Sequence, residues 1–115
     1  MQIQEEKQNE VHIFKLEGRL DSNTSPTFEE KVADAIGKGA KQMIIDFENL
    51  EYLSSAGLRV ILKTTKDLKR KEGKLVLCSM ADYVKEVFEI SGFDSFLPIT
   101  TSRDDALKKF GSSPD

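Results

Sequence analysis

The pattern of hydrophobic and polar positions predicts a chain that alternates between strands and helices. Short apolar runs predict strands over residues 11–17, 43–47 and 74–78, and a weaker run predicts one more over residues 2–6. Residues 43–47 show no polar alternation, which is typical of a strand that is covered on both faces. A short polar segment separates residues 2–6 from residues 11–17, so these two strands are expected to pair as an antiparallel hairpin.

Apolar residues that recur every three or four positions predict helices between and after these strands. The strongest periodicity covers roughly residues 56–70. Three further helices are expected to begin at Ser25, which precedes Pro26, at Ser79 and at Ser102, because Ser is a preferred N-cap residue. The residues expected to face the core from the four helices are Phe28, Val32, Ala35, Ile36, Leu58, Ile61, Leu62, Thr65, Leu68, Val84, Val87, Phe88, Ala106, Leu107 and Phe110.

The order of these elements predicts an α/β fold. The order is strand, strand, helix, strand, helix, strand, helix, a short edge strand and a last helix. Alternation after the first hairpin favours a mixed β-sheet whose later strands run parallel and are joined by right-handed crossovers. A length of 115 residues fits one compact domain. We assign residues 1–111 to this domain and expect residues 112–115 to form a frayed tail.

The composition and the charge narrow the classes of function. The formal net charge is −3, which gives no support for nucleic-acid binding, since nucleic-acid-binding domains usually carry a basic surface. The single cysteine, Cys78, excludes an internal disulfide and is expected to be a buried thiol. No apolar run approaches the roughly 20 residues of a membrane span, and the N-terminus lacks a signal-peptide pattern. We therefore expect a soluble cytoplasmic protein that binds neither nucleic acid nor membrane.

Two serines, Ser54 and Ser55, lie where a predicted strand passes through a turn into the most periodic helix. The first N–H groups of a helix lack internal partners and carry partial positive charge. A hydroxyl at that place can cap the helix or carry a phosphate. The turn follows the carboxyl end of a strand, where α/β sheets place functional sites. The loop that carries Asp21 follows the preceding strand and is expected to lie nearby.

Four basic residues recur on the face of this helix that lies opposite its apolar residues. They are Arg59, Lys63, Lys66 and Arg70. One interpretation is a solvated helix face, which is where charged residues usually lie. The other is that the first turn of this face, around Arg59, belongs to a surface that docks a partner.

The sequence does not support a catalytic site. Residues 53–57 do not match the G-x-S-x-G elbow of a serine hydrolase, and the only histidine, His12, lies in the first hairpin. A lone histidine is also a poor metal site. Asp46 ends a strand as a phospho-accepting aspartate would, but no acidic pair follows the first strand to hold Mg²⁺. We therefore expect a protein that is not an enzyme and that needs no metal or other cofactor.

Two stretches of the sequence resemble the STAS domain of bacterial anti-sigma factor antagonists. They are EGRLD at residues 17–21 and DFENLEYLSSAGLRVIL at residues 46–62. Length and element order also agree, so the resemblance covers nearly the whole chain. It implies that Ser55 accepts a phosphate and that Gly57 is the glycine of the family's motif.

The resemblance also implies a pair of partners. The unmodified protein is expected to bind an anti-sigma factor that is also a serine kinase, and so to free a sigma factor. That kinase uses its own ATP and Mg²⁺ to phosphorylate the acceptor serine and end the binding, and a separate serine phosphatase resets the protein. The same domain type also serves as a non-switching scaffold subunit of transport or signalling assemblies. In that alternative the serines only cap the helix.

This sequence departs from the family's motif at two positions. The acidic residue that the family carries just before the acceptor is Ser54 here, and the hydroxyl residue just after it is Ala56. Ser54 is therefore the alternative phosphate acceptor to Ser55. The residues expected to form the docking surface around the acceptor are Asp21, Ser22, Ser54, Ala56, Gly57 and Arg59.

Overall fold

The structure, a computed structural model, describes residues 1–110. The tail predicted for residues 112–115 and the domain end assigned at residue 111 lie outside the described residues. The strands are Gln2–Gln8 (β1), Val11–Leu20 (β2), Gln42–Leu53 (β3), Lys74–Cys78 (β4) and Ile99–Thr100 (β5). The helices are Ser25–Gly37 (α1), Ser55–Arg70 (α2), Asp82–Ile90 (α3) and Arg103–Lys108 (α4), with a 3₁₀ turn at Phe93–Ser95.

One mixed sheet organises these elements, with its strands in the order β1-β2-β3-β4-β5. β1 pairs antiparallel with β2, and the other three pairs of neighbours run parallel. The predicted α/β fold, with an N-terminal hairpin, later parallel strands and about four helices, is confirmed. Over residues 1–110, every helix is too short or too polar to cross a membrane.

The helices cover the two faces of the sheet unequally. α1, α2 and α3 pack on one face around the larger hydrophobic core. There, Phe14 of β2 lies edge to face against Phe28 of α1. Phe47 of β3 contacts Phe88 of α3 in the same manner. The short α4 covers a smaller apolar cluster on the opposite face, so its attachment to the sheet needs additional support.

The strand β3 is longer than the apolar pattern predicts. It continues from Phe47 to Leu53, where the sequence predicts a connection, because β2 also continues to Leu20 and supplies a partner strand. Leu50 is buried within this extension. Because polar residues flank Leu50, this part of β3 contains no continuous apolar run, and the sequence pattern does not predict it as a strand.

The predicted start of α1 at Ser25 is confirmed, although the N-cap is Thr24 and Ser25 itself is buried. One other predicted helix start and one predicted core residue are wrong. Ser79 does not cap α3, which begins at Asp82; Ser79 instead has a φ angle of +62° in the turn after β4. Val87 is 40% exposed, because α3 buries only a narrow stripe against the sheet. The predicted Ser102 cap of α4 is confirmed by a 3.1 Å hydrogen bond from the Asp105 N–H to Ser102 Oγ.

Arg103, the first residue of α4, anchors this helix to the sheet. Its Nε and Nη2 atoms donate to Asp46 Oδ2 at 3.2 and 3.1 Å, and its Nη1 atom donates to Glu6 Oε2 at 2.9 Å. Asp46 is 3% exposed, and its Oδ1 atom accepts a hydrogen bond from the Glu48 N–H. A buried carboxylate is costly without a cation, so this cluster ties α4 to β3 and β1.

The start of α2 lies against the end of β2. Gly57, in the first turn of α2, is buried. A Cβ atom at this position would lie 2.7 Å from Leu20 Cγ and 2.9 Å from Leu53 Cδ1. Leu20 is itself fully buried, so it has little room to move away. The absence of a side chain at Gly57 therefore permits the close approach of α2 to the two strands that position the site.

We expect Arg103→Ala to lower the free energy of unfolding by about 2 to 4 kcal/mol, because it leaves the Asp46 carboxylate buried without its cation. Urea denaturation followed by circular dichroism measures this loss. Arg70→Ala is the matched control, because Arg70 lies 3.7 Å from Asp67 in an exposed ion pair. Its loss should stay below about 1 kcal/mol. Equal losses for the two variants would contradict the anchoring role of Arg103.

We expect Gly57→Ala to destabilise the protein by about 1 to 3 kcal/mol, because the added methyl group overpacks the contact with Leu20. The higher helix propensity of Ala offsets part of this loss. Gly37→Ala in α1 is the control, since no heavy atom lies within 4 Å of a Cβ atom built there. That variant should be neutral or slightly stabilised. Thermal unfolding compares the two, and a Gly57→Ala protein that melts like the wild type would refute the close approach.

Candidate functional site

The turn between β3 and α2 is built around the cap of the helix. Ser54 is the N-cap residue, and its Oγ atom accepts a hydrogen bond from the Gly57 N–H at 3.2 Å. Both backbone groups of Ser54 also form hydrogen bonds. Its N–H donates to the Leu20 carbonyl, and its carbonyl accepts from the Leu58 N–H, each at 2.9 Å. Ser54 is thus held by the helix that it starts and by the neighbouring strand.

Ser55 has a different environment from that of Ser54. It is the first residue of α2 and is exposed. Within residues 1–110, no hydrogen bond engages its hydroxyl group, whereas the Ser54 hydroxyl serves the cap. The hydroxyl of Ser55 is therefore accessible to another molecule, and its modification would not remove an internal bond.

The turn between β2 and α1 lies beside this serine turn and is organised by Asp21. The Asp21 Oδ1 atom accepts hydrogen bonds from the backbone N–H groups of Asn23 at 2.9 Å and Thr24 at 3.1 Å. Desolvation acts to raise the pKa of Asp21, but these hydrogen bonds, together with the Thr24 hydroxyl and the Arg19 guanidinium, lower it overall. The turn therefore presents a carboxylate that is ionised at neutral pH. Ser22 is exposed at the same turn.

Arg19 and Tyr52 form a contact that the sequence pattern does not predict. The guanidinium carbon of Arg19 lies 4.3 Å from the centroid of the Tyr52 ring, and its Nε atom lies 3.8 Å from Asp21 Oδ2. Tyr52 is 41% exposed. The two residues are partners in the register of β2 and β3, and only the extended pairing of these strands brings them together.

The six predicted docking residues lie in two adjacent places. Asp21 and Ser22 lie in the turn after β2, and the others are the N-cap Ser54 and, in the first two turns of α2, Ala56, Gly57 and Arg59. The backbone hydrogen bond from Ser54 to Leu20 joins the turn of Asp21 and Ser22 to the start of α2. The members differ in exposure: Arg59 is exposed, Ala56 is half-buried and Gly57 is buried. Gly57 therefore lies below this surface, where its small size lets α2 pack closely against β2 and β3.

The remaining chemically active side chains lie away from Ser55. His12 is near the start of β2, eight residues before Leu20, which corresponds to about 26 Å along the strand. It therefore cannot serve as a base for either serine. Burial raises the pKa of the Cys78 thiol to about 11, so the thiol is protonated at neutral pH. Within residues 1–110, no group of three or more His, Cys, Asp or Glu side chains is arranged to hold a metal ion.

Comparison with known proteins identifies the family of this domain. The family model of the STAS domain matches residues 2–106. The chain is 39% identical to BtrV of Bordetella bronchiseptica, a candidate anti-sigma factor antagonist, over 96% of this chain and 95% of that protein. It is 30% identical to the anti-sigma F factor antagonist of Paenibacillus polymyxa, with 93% of this chain and 92% of that protein covered.

A solved structure shares the fold. The phosphorylated form of SpoIIAA, a cell fate determinant of Bacillus, matches with a TM-score of 0.77 at 24% identity, covering 95% of this chain and 99% of that chain. Because the family model spans nearly all of the described residues and these relatives match along almost their full length, the chain belongs to the STAS domain family, among the anti-sigma factor antagonists.

Proposed function

We propose that this chain is an anti-sigma factor antagonist that is switched by phosphorylation of Ser55. In the unmodified form it binds an anti-sigma factor that is also a serine kinase, and this binding releases the sigma factor. Phosphorylation ends the binding, and a serine phosphatase restores it. The observation that carries the proposal is the exposed Ser55 hydroxyl at the start of α2, beside the Asp21 turn, in a chain of this family.

Ser55 is favoured over Ser54 as the acceptor by the hydrogen bonding of the two hydroxyl groups. Phosphorylation of Ser54 would disturb the hydrogen bond that its Oγ atom accepts from the Gly57 N–H. An N-cap of this kind contributes about 1 kcal/mol to stability. Phosphorylation of Ser55 breaks no bond of the described residues, and the nearby N–H groups of the helix start favour an anion there.

The switch acts through charge. A phosphate adds about −1.5 to −2 charges at pH 7. It adds them to a surface that already contains the Asp21 carboxylate, so a partner that packs closely on this surface must desolvate or repel the new charge. The fold itself should change little, since the phosphorylated form of SpoIIAA has the same fold as this chain. Binding should therefore be lost while the domain stays folded.

The proposed partners imply where the protein acts and which molecule supplies the ATP and Mg²⁺. A kinase that uses ATP and acts on a regulator of transcription works in the cytoplasm, and so does its antagonist. The ATP and Mg²⁺ belong to the kinase, and the antagonist contributes only its hydroxyl group. Turnover by the chain itself plays no part in this function.

We expect the cognate kinase and ATP to place one phosphate on the chain, at Ser55. Ser55→Ala should abolish the modification and leave the thermal stability nearly unchanged. Ser54→Asp is the matched variant, because Asp also caps helices and the substitution removes the other candidate hydroxyl. It should still be phosphorylated. Mass spectrometry of proteolytic fragments locates the phosphate, and full phosphorylation of Ser55→Ala would overturn the assignment.

We expect a chain with Ser55→Asp, or with phosphoserine at position 55, to bind the partner at least a hundredfold more weakly. A loss of roughly 3 to 4 kcal/mol corresponds to a factor of two to three powers of ten in the dissociation constant. Isothermal titration with the purified anti-sigma factor measures the change. The circular dichroism spectrum and the melting temperature should match those of the wild type.

Affinity that is unaffected by these changes would contradict the switch and support the alternative scaffold role. Ser22→Asp tests whether the position of the charge within the docking surface matters, because it adds one negative charge at the exposed tip of the neighbouring turn. A smaller loss for this variant than for Ser55→Asp would tie the effect to the acceptor position. Equal losses would instead indicate that a negative charge anywhere on the docking surface weakens the binding.

A further inference from the structure

Arg59 lies one helical turn after Ser55 on α2, and its side chain is exposed. Residues four positions apart on a helix have their Cβ atoms about 5 to 6 Å apart. Side chains on a helix also lean toward its N-terminus, so the side chain of Arg59 extends over the turn that contains Ser55. A long guanidinium side chain can therefore reach a group that is attached to the Ser55 hydroxyl.

Arg59 has no anionic partner among residues 1–110, whereas two other basic residues of the same helix are paired. Lys63 Nζ lies 2.7 Å from Glu29 Oε2, and Arg70 pairs with Asp67. The first turn of α2 contains no acidic residue that could neutralise Arg59. The sequence contributes to this, because Ser54 occupies the position where the family's motif carries an acid.

The other charges at this surface are already paired. Asp21 accepts hydrogen bonds from backbone N–H groups of its own turn, and its Oδ2 atom lies 3.8 Å from Arg19 Nε. Arg19 in turn lies over the ring of Tyr52. Among the described residues, Arg59 is therefore the unpaired cation on the same helix face that a phosphate at Ser55 can bind.

We propose that Arg59 binds the phosphate of Ser55 within the same helix. The inference rests on the proposed function only in taking Ser55 as the acceptor. An anion followed by a cation four residues later is the favourable order on a helix. The planar guanidinium can donate two parallel hydrogen bonds to phosphate oxygens, which an ammonium group cannot do.

This pairing gives phosphorylation two effects on the docking surface. The modification adds negative charge, and it also occupies a cation that the unmodified protein presents to its partner. Both effects act on the same face of α2. A partner whose docking site contains acidic side chains thus loses its attraction to Arg59 at the moment when the phosphate repels it.

The pairing can be tested on the full chain without a kinase, by placing phosphoserine at position 55 during translation. Phosphorus NMR then follows the second ionisation of the phosphate with pH. A nearby cation stabilises the dianion, so Arg59→Gln should raise this second pKa by about 0.3 to 0.7, the range expected of an exposed ion pair. Arg59→Lys keeps the charge and should raise it less.

Lys66→Gln is the matched control, because it removes the same charge from an exposed position of the same helix, about two turns beyond Arg59. It should leave the phosphate pKa close to that of the parent. The proposal is refuted if Arg59→Gln causes no rise, or if the two glutamine variants cause equal rises. Because the phosphate is introduced without an enzyme, these outcomes are independent of whether the kinase assay supports Ser55 as the natural acceptor.

Discussion

The parallel pairing of β2 with β3 is the constraint on which the rest of the structure depends. Its register runs from Val11 opposite Gln42 to Leu20 opposite Leu53, with two irregularities along the way. The two strands therefore end side by side, and the Ser54 N–H continues the pairing by donating to the Leu20 carbonyl at 2.9 Å. Because the Asp21 turn and the Ser54 turn each begin where a strand ends, this pairing places both turns on one surface.

At the start of α2, the hydroxyl groups of the neighbouring residues Ser54 and Ser55 differ in their hydrogen bonding. Ser54 completes the helix cap, and Ser55 stays exposed beside it. An acidic residue at position 54 would also cap the helix, since Asp and Ser are comparably good N-caps. The neutral cap of this chain leaves less negative charge next to Ser55. The departure from the family's motif thus preserves the local structure while changing the electrostatic surroundings of Ser55, the proposed acceptor.

The predicted helices and strands agree with the structure where the sequence pattern lies within one short segment. They differ where pairing or packing with a distant segment determines the structure. The α2 helix is found within one residue of its predicted start, because its periodicity and its serine cap lie in one continuous segment. The sequence pattern does not predict the extension of β3, because the polar residues of this segment form a strand only by pairing with β2. Val87 is exposed because α3 buries only a narrow stripe, Val84 and Phe88, against the core, and the sequence periodicity does not reveal how narrow that stripe is.

By itself, the sequence determined the order of strands and helices, the hydroxyl-bearing turn at the start of α2 and the family to which the chain belongs. These depend on spacing and residue type within short segments. The tertiary structure alone decided that Asp46 pairs with Arg103, that Gly57 lies against Leu20 and that the Ser54 N–H bonds to the Leu20 carbonyl. Those outcomes depend on atoms that come within a few ångströms only after distant segments have packed together, so no local pattern encodes them.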